Sequence, residues 1–190
     1  MEEQLRNYFD RYVQLTDVEF ALFFEHLSKV SFKKKDFLLE QGKVCQYRFF
    51  ILEGLVRYFQ SDADGKEHIG LFGIENWWVT NLESFSQETP SRNAIQALEE
   101  TIVLQISKKD LEAMYLKIPK LERVFRIISE NMLVALQRRD EVYMKRSSRE
   151  RYFHLVDGIP NFAQRVPQYM IASYLDITPE YLSELRKSRS

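Results

Sequence analysis

The residues best equipped for chemistry sit close together between 167 and 187, where hydroxyls, carboxylates and cations are interleaved with apolar positions. Thr178, Glu180, Ser183 and Glu184 offer oxygen acceptors and hydroxyl donors, while Gln168, Tyr169, Arg186 and Lys187 offer donors to an anion. Ile171 and Leu175 form an i, i+4 apolar pair, and Leu182 and Leu185 an i, i+3 pair, so the polar groups fall on the outer faces of two short helices. Pro167 suits a first helical position, Thr178 an N-cap and Pro179 the position after it, and Glu180 faces the positive end of the second helix. Two helices joined by about three residues, with small Ala172 permitting their close approach, make a helix-turn-helix. In that motif the second helix enters the DNA major groove and the first crosses the backbone. Thr178, Pro179, Glu180, Ser183 and Glu184 are then candidates for base contact, either glutamate accepting from cytosine N4. Gln168, Tyr169, Arg186 and Lys187 are candidates for phosphate contact.

Charge pulls the other way. Residues 166–190 hold three cations (Arg186, Lys187, Arg189) and three anions (Asp176, Glu180, Glu184), which suits a helical hairpin that closes the fold or docks a protein. The stretch 137–151 adds six cations (Arg138, Arg139, Lys145, Arg146, Arg149, Arg151) against three anions (Asp140, Glu141, Glu150), a local surplus available to phosphates or to solvent. Over the whole chain 27 basic residues face 28 acidic ones, so total charge gives no argument for a nucleic-acid partner.

Other chemistries find little footing. His26, His68 and His154 lie far apart, and no Cys/His/Asp cluster has metal-ligand spacing. Cys45 is the sole cysteine, which excludes an intramolecular disulfide and a cysteine-rich zinc site and fits a reducing, cytoplasmic compartment. It reads as a small packed residue more readily than as a redox sensor, and a single His26 or His68 carries little weight as a haem ligand. There is no glycine-rich phosphate loop, nucleophile elbow or paired-carboxylate motif, so neither an enzyme nor a cofactor is expected. The start, Met1-Glu2-Glu3-Gln4, is acidic where a signal peptide would be basic, and no 18-residue apolar run occurs, so no membrane association is expected.

The elements that must position the helix pair follow from periodicity. Leu5, Tyr8, Phe9, Tyr12 and Val13, then Phe20, Leu22, Phe23 and Leu27, recur at helical spacing, with Thr16 and Glu19 as a capping box. From about 30 to 107 the pattern shortens to strands: Val30–Phe32, Asp36–Leu39, Arg48–Leu52, Leu55–Phe59, His68–Phe72, Asn93–Leu98 and Thr101–Ile106. Gln41-Gly42, Glu53-Gly54 and Asp62-Ala63-Asp64-Gly65 punctuate them, and Asp64-Gly65 predicts a primed hairpin turn. Many short strands at regular spacing predict a jelly roll. Ser107–Asp110 opens a short helix, Pro119 restarts the chain, and Leu121, Phe125, Ile128, Met132 and Ala135 step by three and four along one helix over 120–145. That stripe is a dimerisation seam if a partner helix exists, and otherwise packs on its own domain. Length and 45% hydrophobic content suit one or two small domains with a real core.

A β-rich domain, a long helix and a helix-turn-helix in that order resemble the catabolite activator and Fnr (Crp/Fnr) family of bacterial transcription regulators. The likeness is carried by Leu52-Glu53-Gly54-Leu55-Val56-Arg57, by Ile171-Ala172-Ser173-Tyr174-Leu175 and by Thr178-Pro179-Glu180-Tyr181-Leu182-Ser183. Asn81-Leu82-Glu83-Ser84-Phe85 and Ile95-Gln96-Ala97-Leu98-Glu99 resemble the short variety common in Bacteroidetes. The resemblance implies an α+β chain with a cyclic-nucleotide-binding-like β-roll over 1–118, a dimerisation helix over 119–147 and a helix-turn-helix over 148–190. It further implies a homodimer on a palindromic operator with half-sites about 34 Å apart.

Departures from the family pattern qualify the ligand. Members that bind cyclic AMP use a Gly-Glu pair and a later Arg-Ser/Thr-Ala triplet to hold the ribose and cyclic phosphate. Here Thr80-Asn81 stands at the first place, and with Ala97 aligned, Ser91, Arg92 and Asn93 span the second. Asn81 lacks the charge of a carboxylate, and Thr80 adds a Cβ where backbone must approach ligand. Trp78, Thr80, Asn81, Ser91, Arg92 and Asn93 are therefore the candidate effector pocket, for a small molecule other than cyclic AMP or for none; Trp77 and Trp78 read first as packing in the roll or on its face toward the long helix, stacking on a ligand ring being the second role open to them. Asp176 occupies the turn position usually given to glycine, at modest cost. The sequence closes at Ser190, just past the recognition helix, so the β-hairpin wing of longer relatives is not expected. The leading expectation is a cytoplasmic regulator that binds double-stranded DNA as a homodimer. The alternative is a ligand-binding module whose helical tail contacts a protein.

Overall fold

The computed structural model describes residues 1–187, the side chains at 140 and 142 excepted; Arg189 and the side chain of Asp140, counted among the charges above, lie outside the described residues. Two helices lead in, α1 (Glu2–Phe9) and α2 (Asp17–Phe24). The capping box at α2 is present: Thr16 Oγ1 accepts from Glu19 N at 3.2 Å, and Glu19 Oε2 accepts from Thr16 N at 2.8 Å. The strands are β1 (Ser28–Phe32), β2 (Phe37–Leu39), β3 (Tyr47–Glu53), β4 (Val56–Ser61), β5 (Glu67–Gly73), β6 (Trp78–Val79), β7 (Ala94–Ala97) and β8 (Thr101–Ser107), with α3 (Leu82–Gln87) between β6 and β7. Seven of the eight were expected; β6 and α3 are the additions.

All pairings are antiparallel and close two four-stranded sheets, β1-β8-β3-β6 and β2-β7-β4-β5, the double sheet of the expected roll. Gly54 turns β3 into β4 at φ +99°, where an added Cβ would lie 2.5 Å from Thr101 Oγ1 and 2.6 Å from the Glu100 carbonyl, so only glycine fits. The β4–β5 hairpin forms where Asp64-Gly65 predicted it, but by other chemistry. Only Gly65 is left-handed, and Asp62 closes a longer loop by accepting from Asp64 N and Lys66 N through its carboxylate. A type I′ turn needs two adjacent positive φ values, and the Asp62 side chain makes that unnecessary.

The buried apolar residues divide into two cores. The first fills the roll and its helical cap, with Leu5, Phe9, Phe23, Phe49, Phe50, Ile51, Val103 and Leu104 almost wholly buried. Ser107 caps α4 (Lys108–Lys117), and after Pro119 the 26-residue α5 (Lys120–Lys145) runs about 39 Å. It is followed by α6 (Ser148–Gly158), α7 (Phe162–Arg165), α8 (Gln168–Leu175) and α9 (Pro179–Lys187). The second core joins these last helices to the outer face of the β2-β7-β4-β5 sheet: Phe59, Ile69 and Phe72 pack with Phe162, Met170, Ile171, Leu175, Leu182 and Leu185. The terminal helices therefore have no separate core of their own.

Candidate nucleic-acid interface and sensor site

The α8–α9 turn closes as a Schellman motif. Asp176 takes the left-handed conformation (φ 53°, ψ 50°), Ile177 N donates to Ala172 O at 3.0 Å and Asp176 N to Ser173 O at 3.3 Å. Aspartate thus fills the glycine position, as expected of a residue that tolerates positive φ. Pro167 is the N-cap of α8, one position outside the first helical place expected for it, while Pro179 opens α9 and Thr178 Oγ1 accepts from Tyr181 N at 3.2 Å.

With Leu182 and Leu185 buried, α9 turns outward Thr178, Pro179, Glu180, Glu184, Arg186 and Lys187, and Ser183 is half-buried at the edge of that face. Gln168 and Tyr169 are exposed at the start of α8. All the expected contact residues of the pair but the half-buried Ser183 are thus exposed. The structure adds Tyr181, 42% exposed between Glu180 and Leu182, which the apolar spacing had hidden because tyrosine there reads as core.

The pair is fixed to the roll by polar contacts as well as by the second core. Arg165 donates to Glu99 and Glu75 at 2.5 and 2.6 Å, and Ser173 Oγ donates to the Glu67 carbonyl at 2.9 Å. Burial pushes the Glu75 carboxyl upward, but the Arg165 hydrogen bond and charge, with backbone donors, hold it below the ordinary carboxylate value. The cation surplus of 137–151 is partly consumed internally. Arg151 lies 3.8 Å over the Tyr143 ring and donates to the Leu175 carbonyl, Arg139 donates to the Gly70 carbonyl, and Arg149 lies over Phe153.

The expected effector residues separate into four places. Asn81 is buried and caps α3: its Oδ1 accepts from Ser84 N at 2.8 Å, and its Nδ2 donates to the Tyr58 hydroxyl at 2.8 Å and to Asn93 Oδ1 at 3.3 Å. Ser91 accepts from Asn93 N and donates to Asn93 O, so Asn81, Ser91 and Asn93 form one network, completed by a Tyr58 that the sequence reading missed. Burial pushes the Tyr58 hydroxyl upward, so it stays protonated there. Thr80 donates to the Tyr47 carbonyl at 3.1 Å and meets the buried Cys45 sulfur at 3.3 Å. Arg92 is exposed.

Trp78 does not belong to this site. Its ring packs 5.4 Å from Phe50 and 5.1 Å from Phe125 and stacks on Phe9, so β6 turns it toward the helices. Along the long helix, Leu121 and Phe125 also depart from the expected role. Both are buried against the roll, with Val124, and anchor the helix within its own chain. Ile128 is half-buried against the same core, whereas Met132 is partly exposed and Ala135 exposed beside Leu133, Val134 and Leu136. Among the described residues no group of three or more His, Cys, Asp or Glu side chains is placed to hold a metal, and no helix is long and apolar enough to cross a membrane.

Comparison with known proteins matches this arrangement. Residues 29–117 match the cyclic nucleotide-binding domain model. Among solved structures, FixK2 from Bradyrhizobium japonicum has a TM-score of 0.73 at 17% identity, covering 85% of this chain and 83% of its own. CLP, the c-di-GMP responsive global regulator of Xanthomonas campestris, has a TM-score of 0.71 at 12% identity over 91% of each chain. The Thermus thermophilus catabolite activator protein has a TM-score of 0.58 at 17% identity, over 92% of this chain and 83% of its own. None of the curated protein sequences matches. Residues 29–117 are thus similar to a cyclic nucleotide-binding domain, and the chain as a whole shares the fold of these solved structures.

Proposed function

We propose that this chain is a transcription regulator of the Crp/Fnr type that binds a palindromic DNA operator as a homodimer in the cytoplasm. The observation that carries the reading is the outward face of α9, where Thr178, Pro179, Glu180, Ser183 and Glu184 stand at the helix start and Arg186 and Lys187 at its end, on a pair held rigidly to the roll. A helix presenting its N-terminal side chains in this way fits the major groove, with Gln168 and Tyr169 meeting the backbone. Met132 and Ala135, with Leu133, Val134 and Leu136 around them, supply the dimer seam beyond the part of α5 that Leu121, Phe125 and Ile128 fix to the roll.

The effector is a small molecule other than cyclic AMP. Asn81 spends its carbonyl on the α3 cap and its amide on Tyr58 and Asn93, leaving no carboxylate for a ribose hydroxyl, and Arg92 faces solvent. The effector acts by preferring one of two dimer arrangements. One observation favours a second reading, in which the helical tail docks a protein: the outer face of α9 carries Glu180 and Glu184, and anions repel phosphates.

Selection of bound sequences from a random duplex library separates the two. The regulator reading expects an enriched palindrome, half-sites about one helical turn apart, bound by a dimer and abolished by Glu180→Ala with Arg186→Ala. No enrichment with or without added cell extract rejects it in favour of the docking module.

A further inference from the structure

The helix pair is short of positive charge for a DNA reader. From 166 to 187 it holds Arg186 and Lys187 against Asp176, Glu180 and Glu184. Phosphate contacts supply most of the sequence-independent affinity of such proteins, so cations must come from elsewhere. The start of α8 shows where. A cavity of about 170 Å³ separates it from the roll, with Pro167, Tyr169 and Met170 on one side and Lys34, Lys35 and Arg57 on the other.

Lys33, Lys34 and Lys35 form the turn from β1 to β2, and all three are exposed. None of their ammonium groups has a carboxylate oxygen within 4 Å among the described residues, whereas the buried Arg57 is already satisfied by Glu67 and Gln96. The turn is stiff. Asp36 accepts from Lys33 N at 2.7 Å, Lys35 N donates to the Ala97 carbonyl at 2.8 Å, Ala97 N returns a bond to the Asp36 carbonyl at 2.9 Å, and Gln96 Nε2 donates to the Lys35 carbonyl at 2.9 Å. Three unpaired ammonium groups are therefore carried on a backbone pinned to β7, beside the Tyr169 end of the helix pair.

We propose that the Lys33–Lys35 turn is a second phosphate-binding surface, onto which the DNA backbone continues after crossing the start of α8. This rests on the DNA-binding reading above. A phosphate could also come from a free small molecule, but the cavity is smaller than the roughly 300 Å³ at which drug-sized ligand pockets begin, and exposed lysines act as point charges suited to a passing backbone. The surface makes the sensor domain part of the DNA contact, so a movement of the roll against α8 changes affinity directly.

The test uses random-sequence duplex DNA, because phosphate contacts ignore sequence. The full-length protein is compared with Lys33→Gln/Lys34→Gln/Lys35→Asn, asparagine being chosen for the left-handed position 35 (φ 78°). The plot of log association constant against log salt concentration is expected to flatten by about 0.9 for each phosphate no longer neutralised, two to three per protomer, with binding weakened about tenfold or more at 0.1 M salt. A control removing equal charge elsewhere on the roll, Lys29→Gln/Lys109→Gln/Lys117→Gln, is expected to leave the slope unchanged. Thermal melts check folding, and Lys34→Gln alone, read for a flattening of about 0.9, replaces a triple variant that fails to fold.

An unchanged slope in the lysine variant, with a flattened one in Arg186→Gln/Lys187→Gln, overturns this inference and leaves the regulator reading standing. Equal flattening in the control overturns it too, since net charge is then the cause. Inorganic phosphate saturating the wild type one to one, with the lysine variant's DNA slope unaltered, reassigns the lysines to a free anion. A wild type with no salt-dependent retention removes both readings together.

Discussion

The Arg165 guanidinium reaches the carboxylate of Glu99, 66 residues earlier in the chain, at 2.5 Å. One residue comes from the short α7 that precedes α8 and the other from the link between β7 and β8, so this pair fixes where the helix pair sits on the roll. The same guanidinium holds Glu75 beyond the end of β5. Charge-assisted bonds to two partners make Arg165 the polar anchor between domain and tail.

Arg165→Met is expected to destabilise the chain by about 1–2 kcal/mol, since both carboxylates are partly exposed and rehydrate once released. Urea unfolding checks the loss. Hydrogen exchange should rise in α7–α9 and not in β3 or β8; uniform change across the chain would contradict the assigned role.

Acid should loosen the same contact. The Glu75 carboxyl lies below its ordinary 4.5 in the folded chain, so the unfolded chain binds more protons through that range. The stabilisation is complete above about pH 4.5 and fades as pH falls through the lower folded value. Denaturant midpoints measured from about pH 6 down to about pH 3 should fall, and by less in Glu75→Gln.

Asn81→Ala removes the α3 cap and the bonds to Tyr58 and Asn93 together. The expected cost is about 1–3 kcal/mol in denaturant unfolding, from the missing cap and the buried groups left unpaired. Asn81→Asp keeps the cap but loses the amide donor, and should fall between. An Asn81→Ala protein as stable as wild type would show that the network contributes nothing to holding α3 in place.

Two substitutions on one helix should behave oppositely. Met132→Glu with Ala135→Glu lies beyond the apolar contacts of α5 with the roll, so sedimentation is expected to show dimer converting to monomer with the circular dichroism spectrum intact. Phe125→Glu buries an unpaired charge within one chain and should abolish folding. A dimer that survives the first change places the seam elsewhere.

The strands were legible because β-branched and aromatic runs alternate with Gly, Asp and Asn turns. The long helix was legible because nothing interrupts its spacing. β6 escaped because two residues show no period, and α3 because six residues are held mainly by the Asn81 cap and not by an apolar stripe. The stripe from Leu121 to Ala135 announced a buried face but not its partner: a helix codes apolar spacing, and only the position of the roll shows that Leu121 and Phe125 are covered within the chain. For Trp78, alternation on a two-residue strand does not say which face looks inward, so packing toward the long helix and a place in the pocket both stood open; Phe125 beside its ring decides for the first. That Thr178, Pro179, Glu180, Glu184, Arg186 and Lys187 face outward was readable from Leu182 and Leu185, whose burial leaves those positions outside.

The second core has a consequence for synthesis of the chain. Phe59, Ile69 and Phe72 emerge from the ribosome about a hundred residues before Phe162 to Leu185, the side chains that cover them. Translation proceeds at roughly 5–20 residues per second, so for several seconds the nascent roll carries a naked apolar sheet face. Helices α8 and α9 act as the roll's missing lid, and a transcript cut short after the long helix would yield an adhesive fragment in place of a free-standing roll.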